Sequence, residues 1–193
     1  MAKKRQRMVC PGMVLAIVFL ATAFCRGNDQ ATTNEGRSNM ALEISSPAFA
    51  GGQTIPTKHA CDGNDVSPPL SLDGVPPGTK TIALICDDPD APGGTWVHWV
   101  LYNVPVTVSE LSEGIPTRDV IPSGARQGLN DFGRIGYRGP CPPRGSSHHY
   151  FFRLYALDAE LSLKARATKK DLTDAMKGHI LAEGQLMGTY RRK

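Results

Sequence analysis

The hydrophobic pattern in the centre of the chain predicts β-structure. Apolar runs at 81–86, 96–104 and 150–157 are each bounded by clusters of Pro, Gly, Asp or Asn. Each run is rich in β-branched or aromatic residues and is too short for a helix of ordinary length. Residues 41–49 predict a further strand at the start of the domain. Because short strands alternate with long connections, we expect a mainly β protein, an antiparallel β-sandwich and not a βαβ repeat.

The period changes near the C-terminus, where the pattern predicts short helices. Thr168 is suited to cap a helix, and Asp171 follows three residues later as in a capping box. Five residues then continue at helical spacing: Leu172, Ala175, Met176, His179 and Ile180. We interpret His179 as a helix-end or packing histidine, and Gly184 as the boundary before a second short turn that ends near Gly188.

The first residues have the pattern of an export signal. Bases at positions 3, 4, 5 and 7 precede an apolar run at 13–24 that is too short to span a bilayer comfortably. Residues 21–23 fit an A-x-A cleavage pattern, so we expect 1–25 to be a signal peptide, 26–40 a flexible linker and 41–193 the folded domain. The predicted location is periplasmic or secreted, with no membrane span in the mature chain. The alternative is a membrane anchor through the N-terminal segment or through a lipid on Cys25.

The net charge of +4 comes from that leader. Without its four bases, 22 − 4 leaves 18 basic residues against 18 acidic ones. Basic residues are not interleaved with aromatic ones in a stripe elsewhere, so we expect no nucleic-acid partner. About 150 residues remain after the leader and linker, enough for one domain with its own core.

Histidines and an acid predict a small polar pocket. Alternation along a strand places His148 and Tyr150 on one face and His149 on the other. In the 96–104 strand, Trp96 and His98 would share the open face, while Val97, Trp99 and Leu101 would form the core face. Asp88 comes before a proline at a strand end, and we expect its carboxylate to fix a ring nitrogen of His98 or His148.

The ligand of such a pocket would be a small anion. The free ring N–H groups, the amides around Gly139 and the Tyr150 hydroxyl are the predicted donors to a phosphate or carboxylate. Residues 119–147 run into this strand with many glycines and prolines and no period, and a loop of that length is usually functional or disordered.

Other site chemistries fit the sequence less well. A zinc site could be formed by Asp88 with His98, His148 and His149, but these residues lack the compact spacing of zinc ligands. We therefore expect no metal and no other cofactor. Ser146, Ser147 and Cys141 lack the surroundings of an activated nucleophile, so we expect a binding protein and no enzyme activity. Cys86 ends an apolar run as a buried thiol, whereas Cys61 and Cys141 lie in turn-rich segments. Whether those two cysteines pair is left open by the sequence.

Several separated motifs resemble the phosphatidylethanolamine-binding protein family, and most closely its bacterial branch, called Raf kinase inhibitor-like. They are DPDAP at 88–92, Trp-x-His at 96–98, GPCPP at 139–143 and His-x-Tyr at 148–150. The resemblance extends over about residues 41–190.

The resemblance implies two antiparallel sheets, short C-terminal helices and a small anion pocket. The family's pocket positions correspond here to Asp88, Trp96, His98, Pro142, Pro143, His148 and Tyr150, with Gly139 and Pro140 in the adjacent loop. In the family this pocket holds phosphate-like groups, including a phospholipid headgroup, and it is not known as a catalytic centre. Some members regulate kinases or inhibit proteases. The alternative function is therefore an exported inhibitor of a protease or other enzyme that acts through the 119–147 loop.

Overall fold

The computed structural model describes residues 41–193, which form two antiparallel sheets. The predictions of a signal peptide at 1–25 and a linker at 26–40 lie outside the described residues. The smaller sheet has the order β1-β2-β5 and the larger one the order β6-β4-β3-β7-β8. Their strands are β1 (Glu43–Ser45), β2 (Leu70–Asp73), β3 (Thr81–Asp88), β4 (Trp96–Pro105), β5 (Glu110–Leu111), β6 (Arg126–Gln127), β7 (Ser147–Leu157) and β8 (Ile180–Arg191).

Two hydrophobic clusters, one on each face of the larger sheet, hold the domain together. The first cluster joins the larger sheet to the smaller one, with Leu84, Trp99 and Phe152 packed with Ile44 and Leu72. The second cluster lies on the other face, and its residues are Ala83, Ile85, Val97, Val100, Tyr102, Leu157, Leu161, Ala167, Leu172 and Met176. Because both faces of β3 are covered, all eight of its residues are buried. This explains why the 81–86 run is apolar without alternation.

The predicted C-terminal helix is present but shorter than the pattern indicated. Helix α1 (Lys169–Met176) begins after Thr168, and the capping box with Asp171 is complete. Its buried residues, Leu172 and Met176, face the second cluster. The rest of the prediction is wrong, because Ile180–Arg191 is strand β8 and not a second helical turn. No helix within residues 41–193 is long and apolar enough to cross a membrane.

The prediction for β4 is correct in placing Trp96 and His98 at an open site, but the single core face predicted for Val97, Trp99 and Leu101 is wrong, because a β-bulge interrupts the alternation. Cys86 pairs with Trp99 while Asp87 pairs with Val97, so His98 is an extra residue without an opposite partner. The bulge places Trp99 in the first cluster and Val97 in the second. Bulges of this kind re-aim a side chain locally, and here the re-aimed residue is a candidate site histidine.

Candidate functional site

A cleft of about 420 Å³ lies at the end of the larger sheet where β3 ends and β4 and β7 begin. Twelve residues line it: Asp88, Ala91, Pro92, Gly93, Trp96, His98, Phe132, Cys141, Pro142, Pro143, His148 and Arg192. Its size is within the range of small-molecule sites. Six of the nine residues predicted from the sequence are in this lining, and Gly139, Pro140 and Tyr150 are not.

Asp88 and His148 form a buried pair at the base of the cleft. The Nδ1 atom of His148 lies 2.8 Å from Asp88 Oδ2, and both side chains are less than a tenth exposed. The other carboxylate oxygen accepts from the amide of Asp90 at 2.8 Å. With both oxygens engaged, Asp88 fixes the His148 ring and leaves its Nε2 atom for another partner. Of the two histidines predicted as partners of Asp88, the structure therefore selects His148.

His98 is held by the main chain on the opposite side. Its Nδ1 atom lies 2.7 Å from the carbonyl oxygen of Arg138, and the Arg138 amide donates in return to the His98 carbonyl at 3.0 Å. A carbonyl only accepts, so Nδ1 carries the hydrogen and Nε2 is left for a ligand. Burial lowers the pKa of His98, although the Arg138 carbonyl and the charge of Asp88 oppose that shift. The His98 ring is consequently deprotonated more easily than a free histidine.

Aromatic side chains make one wall. The Phe132 ring packs edge-on against Trp96 at 5.5 Å and against His98 at 5.3 Å between centroids. Its position is fixed by the neighbouring Asp131, whose carboxylate accepts from the Val97 amide at 2.7 Å. Phe132 was missed by the sequence analysis because it lies in a stretch without periodicity, and nothing in the sequence alone pairs that stretch with β4.

Tyr150 supports the site from the core. It is fully buried and packs edge-on against the His98 ring at 5.2 Å between centroids. Burial and the nearby charge of Asp88 raise its pKa well above the ordinary tyrosine value. Its hydroxyl has no hydrogen-bond partner among the described residues. The predicted donation from this hydroxyl to a ligand stays a prediction.

The 139–143 loop is fixed by the segment at 57–65. The Gly139 amide donates to Asp65 Oδ1 at 2.6 Å, so this amide is already engaged within the protein, and donation from the other amides around it stays a prediction. A Cβ atom on Gly139 would lie 2.0 Å from the carbonyl oxygen of His59, which shows that this glycine permits close chain packing and not ligand approach. The Pro140 carbonyl accepts from the Cys61 amide at 3.0 Å.

A disulfide completes this attachment. Cys61 and Cys141 are bonded, with their Cα atoms 5.4 Å apart, so the pairing that the sequence left open is present. Cys141 borders the cleft and is followed by Pro142 and Pro143 on its rim. Cys86 is a buried free thiol, as predicted, and burial raises its pKa well above the ordinary value. The bond holds the proline rim beside the histidines.

A second Asp–His pair lies outside the buried one. Asp90 accepts from the His149 amide at 2.8 Å and lies 2.6 Å from its Nδ1 atom. The pKa of Asp90 is lowered chiefly by these hydrogen bonds. His149 is half exposed, as its alternation with His148 predicted. The pair ties the turn at 91–93 to β7.

Two further predictions concern a metal site and the 119–147 segment. Within the described residues, no group of three His, Cys, Asp or Glu side chains is arranged to hold a metal ion. The 119–147 segment contains β6 and a turn in which buried Asn130 binds the amides of Phe132 and Arg134 and the carbonyl of Gly136. Part of this segment is therefore ordered and packed into the domain. Its predicted role in inhibiting another enzyme stays a prediction.

An antiparallel β-sandwich with a small histidine-lined cleft at a sheet end defines a ligand-binding domain. A family described as phosphatidylethanolamine-binding protein matches residues 45–191. The chain belongs to this family, as the resemblance predicted, and its relatives come from bacteria and archaea.

Two relatives illustrate the similarity in sequence. The chain is 52% identical over 151 residues to a UPF0098 protein of Methanothermobacter thermautotrophicus, covering 78% of this chain and 99% of that protein. It is 45% identical over 184 residues to the UPF0098 protein PH1269 of Pyrococcus horikoshii, covering 94% and 88%.

Solved structures confirm the fold. A protein described as a homologue of phosphatidylethanolamine-binding proteins, CT736 of Chlamydia trachomatis, superposes with a TM-score of 0.74 at 45% identity. It covers 80% of this chain and 99% of its own. Escherichia coli YbcL, described as a new member of the mammalian PEBP family, superposes with a TM-score of 0.73 at 34% identity. The match covers 79% of this chain and 99% of YbcL.

Proposed function

We propose that the protein is a non-catalytic binding protein whose cleft holds a small oxyanion, either free phosphate or the phosphate of a phospholipid headgroup. The observation that carries this proposal is the paired anchoring of His98 and His148. Each ring has Nδ1 tied to an oxygen acceptor and Nε2 left for a ligand. A protonated Nε2 donates a charge-assisted hydrogen bond to phosphate.

Two further features support binding over catalysis. The cysteine of the lining is oxidised to a disulfide, so it does not present a nucleophilic thiol. Asp88 uses both carboxylate oxygens within the protein, which suits an orienting role better than proton transfer.

Titration with inorganic phosphate and with phosphoethanolamine, followed by NMR, tests the proposal. We expect His148→Ala to weaken binding by roughly 10- to 150-fold, because a hydrogen bond to a charged group contributes about 1.5–3 kcal/mol. His179→Ala is the matched control. It removes another histidine paired to an aspartate, Asp158, at 2.8 Å, but on the surface at the far end of β7.

Thermal unfolding must accompany these titrations, because His148→Ala leaves the buried Asp88 without its partner. The proposal is wrong if the wild-type protein shows no shift changes at the cleft with either probe up to tens of millimolar. It is also wrong if a folded His148→Ala variant binds as well as the control. A response to phosphoethanolamine alone would assign the site to headgroups, whereas equal responses would assign it to phosphate itself.

We further propose that the protein functions outside the cytoplasm. The disulfide supports this location, since such bonds persist mainly in exported proteins. Mass spectrometry of the mature protein from cell fractions checks it: an intact N-terminus in the cytosolic fraction with both thiols free would contradict the proposal.

A further inference from the structure

Arg192 is a feature of the cleft that neither the sequence motifs nor the histidine pair explains. Among the twelve described residues that line the cleft, it is the single lysine or arginine. An arginine keeps its charge across the pH range in which an imidazole titrates. Arg192 was not predicted because helical spacing was expected to Ile180 and a short turn to about Gly188, which gave no reason to place position 192 near His148.

The strand pairing brings Arg192 to the cleft. In the β7–β8 ladder His148 is opposite Tyr190, and Arg192 follows two residues later. Residues two apart along an extended chain lie on the same face, so Arg192 continues on the face of Tyr190 and His148. The Arg192 carbonyl accepts from the Gly145 amide at 2.9 Å, which fixes the main chain at this point.

Asp62 orients the side chain. The Nε atom of Arg192 donates to Asp62 Oδ1 at 3.0 Å, and the Tyr190 hydroxyl donates to Asp62 Oδ2 at 3.1 Å. Asp62 in turn follows Cys61, whose disulfide to Cys141 fixes it beside the cleft. With Nε engaged, the two terminal nitrogens of the guanidinium keep their four N–H groups for another acceptor.

The charge balance gives this arginine its importance. Burial lowers the pKa of His98, so this ring loses its positive charge at lower pH than a free histidine does. Arg192 is the residue of this lining whose positive charge does not depend on pH near neutrality. A fork of N–H groups fits an oxyanion that offers two oxygen atoms, such as a phosphate ester or a carboxylate, and fits a monatomic anion less well.

We propose that Arg192, positioned by Asp62, is the residue that binds the charged oxygens of the ligand and sets the affinity of the cleft for oxyanions at neutral pH. This inference rests on the proposed function, because it assigns a residue of the same site. It adds a prediction that the histidines alone do not make: binding persists above pH 7.5.

Four variants test the inference, with inorganic phosphate and phosphoethanolamine as probes at pH 7.8. We expect Arg192→Gln to weaken binding on the order of 10- to 100-fold, and Arg192→Lys to restore part of the affinity, since a point charge replaces a bidentate fork. Asp62→Asn keeps the arginine but weakens its positioning, and its loss is expected to be smaller. Arg191→Gln is the matched control, because it removes the same charge from the exposed adjacent residue.

The pH profile separates a direct role from a merely structural one. In Arg192→Gln, residual binding should increase as pH falls below the lowered pKa of His98, because this ring then gains a proton, whereas the wild type should change less. Thermal unfolding of each variant confirms that it is folded.

Three results would overturn the inference. If Arg192→Gln and Arg191→Gln bind alike while His148→Ala does not bind, the inference is overturned and the proposed function stands. If the wild type binds neither probe, both are overturned. Chloride competing as well as phosphate at equal concentration would likewise overturn the assignment to oxyanions.

Discussion

The disulfide between Cys61 and Cys141 makes the sharpest prediction about stability. It joins residues 80 positions apart, and it attaches the 57–65 segment to the rim of the cleft. Replacing both cysteines by alanine removes this constraint from the unfolded chain. It leaves the hydrogen bonds between Gly139 and Asp65 and between Cys61 and Pro140 in place.

The magnitude follows from the length of the closed loop. For 80 residues, the chain-entropy relation gives a loss of about 4.5 kcal/mol in the free energy of unfolding at 25 °C. Small proteins have urea m-values of about 1–3 kcal/mol/M, so a value of ~2 predicts a midpoint lower by roughly 2 M urea. That loss is a large fraction of the total stability of a typical domain.

Urea unfolding followed by tryptophan fluorescence measures this shift, because Trp99 is fully buried and packs against Tyr137. Both arms should carry Cys86→Ala, since a free thiol exposed on unfolding would exchange with the disulfide. A midpoint shift of less than about 0.5 M at unchanged m would refute the reasoning, because the loop would then add little to stability.

Two further predictions concern the site. Because burial lowers the pKa of His98, the unfolded chain takes up its proton at higher pH than the folded protein does. Stability from this residue is therefore present above about pH 6.5 and is lost as pH falls below it. Urea midpoints measured between pH 8 and pH 5 check this. The prediction is contradicted if stability increases as pH falls from 8 to 5, or if His98→Gln leaves the pH dependence of the midpoint unchanged. Gly139→Ala places a Cβ atom 2.0 Å from the His59 carbonyl, whereas Gly93→Ala, in the turn beside the cleft, meets nothing within 4 Å. We expect Gly139→Ala to lower the free energy of unfolding by about 2 kcal/mol or more and Gly93→Ala to lower it by less than ~1 kcal/mol. Equal melting temperatures for the two variants would contradict this, because the backbone at Gly139 would then accommodate a Cβ atom without loss of stability.

The sequence predicted those parts of the fold that depend on short-range pattern. Strand β7 alternates as expected, with His148, Tyr150 and Phe152 buried on one face. The capping box at Thr168 is a local hydrogen-bond arrangement, and it was predicted from two residues three positions apart.

The errors arose where tertiary contacts override the local pattern. Burial in strand β8 alternates only from Leu186 onward, and one of its three buried positions is Gly188, so the apolar alternation in its sequence is weak. The helical spacing that continued to Ile180 was therefore taken too far. The bulge at His98 is set by the pairing of β4 with β3, and no local signal announces a single extra residue.

The candidate site divides in the same way. The motifs predicted the lining residues that occur in short, recognisable segments, such as Asp88 and His148. They did not predict Phe132 or Arg192, because each reaches the cleft through contacts with segments far away in the sequence. Gly139 was assigned to the ligand, although its lack of a side chain allows close packing against the 57–65 segment.

The charges of the cleft indicate how it would select a ligand. Asp88 is the one carboxylate among the described residues that line the cleft and is paired with His148, while Asp62, outside the lining, is paired with Arg192. Such paired groups produce a weak net field, so long-range attraction would contribute little to affinity. Recognition must then come from the directed N–H groups of the Arg192 guanidinium and, when the rings are protonated, from the imidazole Nε2 atoms. A cleft of this kind discriminates by the number and geometry of acceptor oxygens, and its affinity should depend less on salt than that of a surface with unpaired bases.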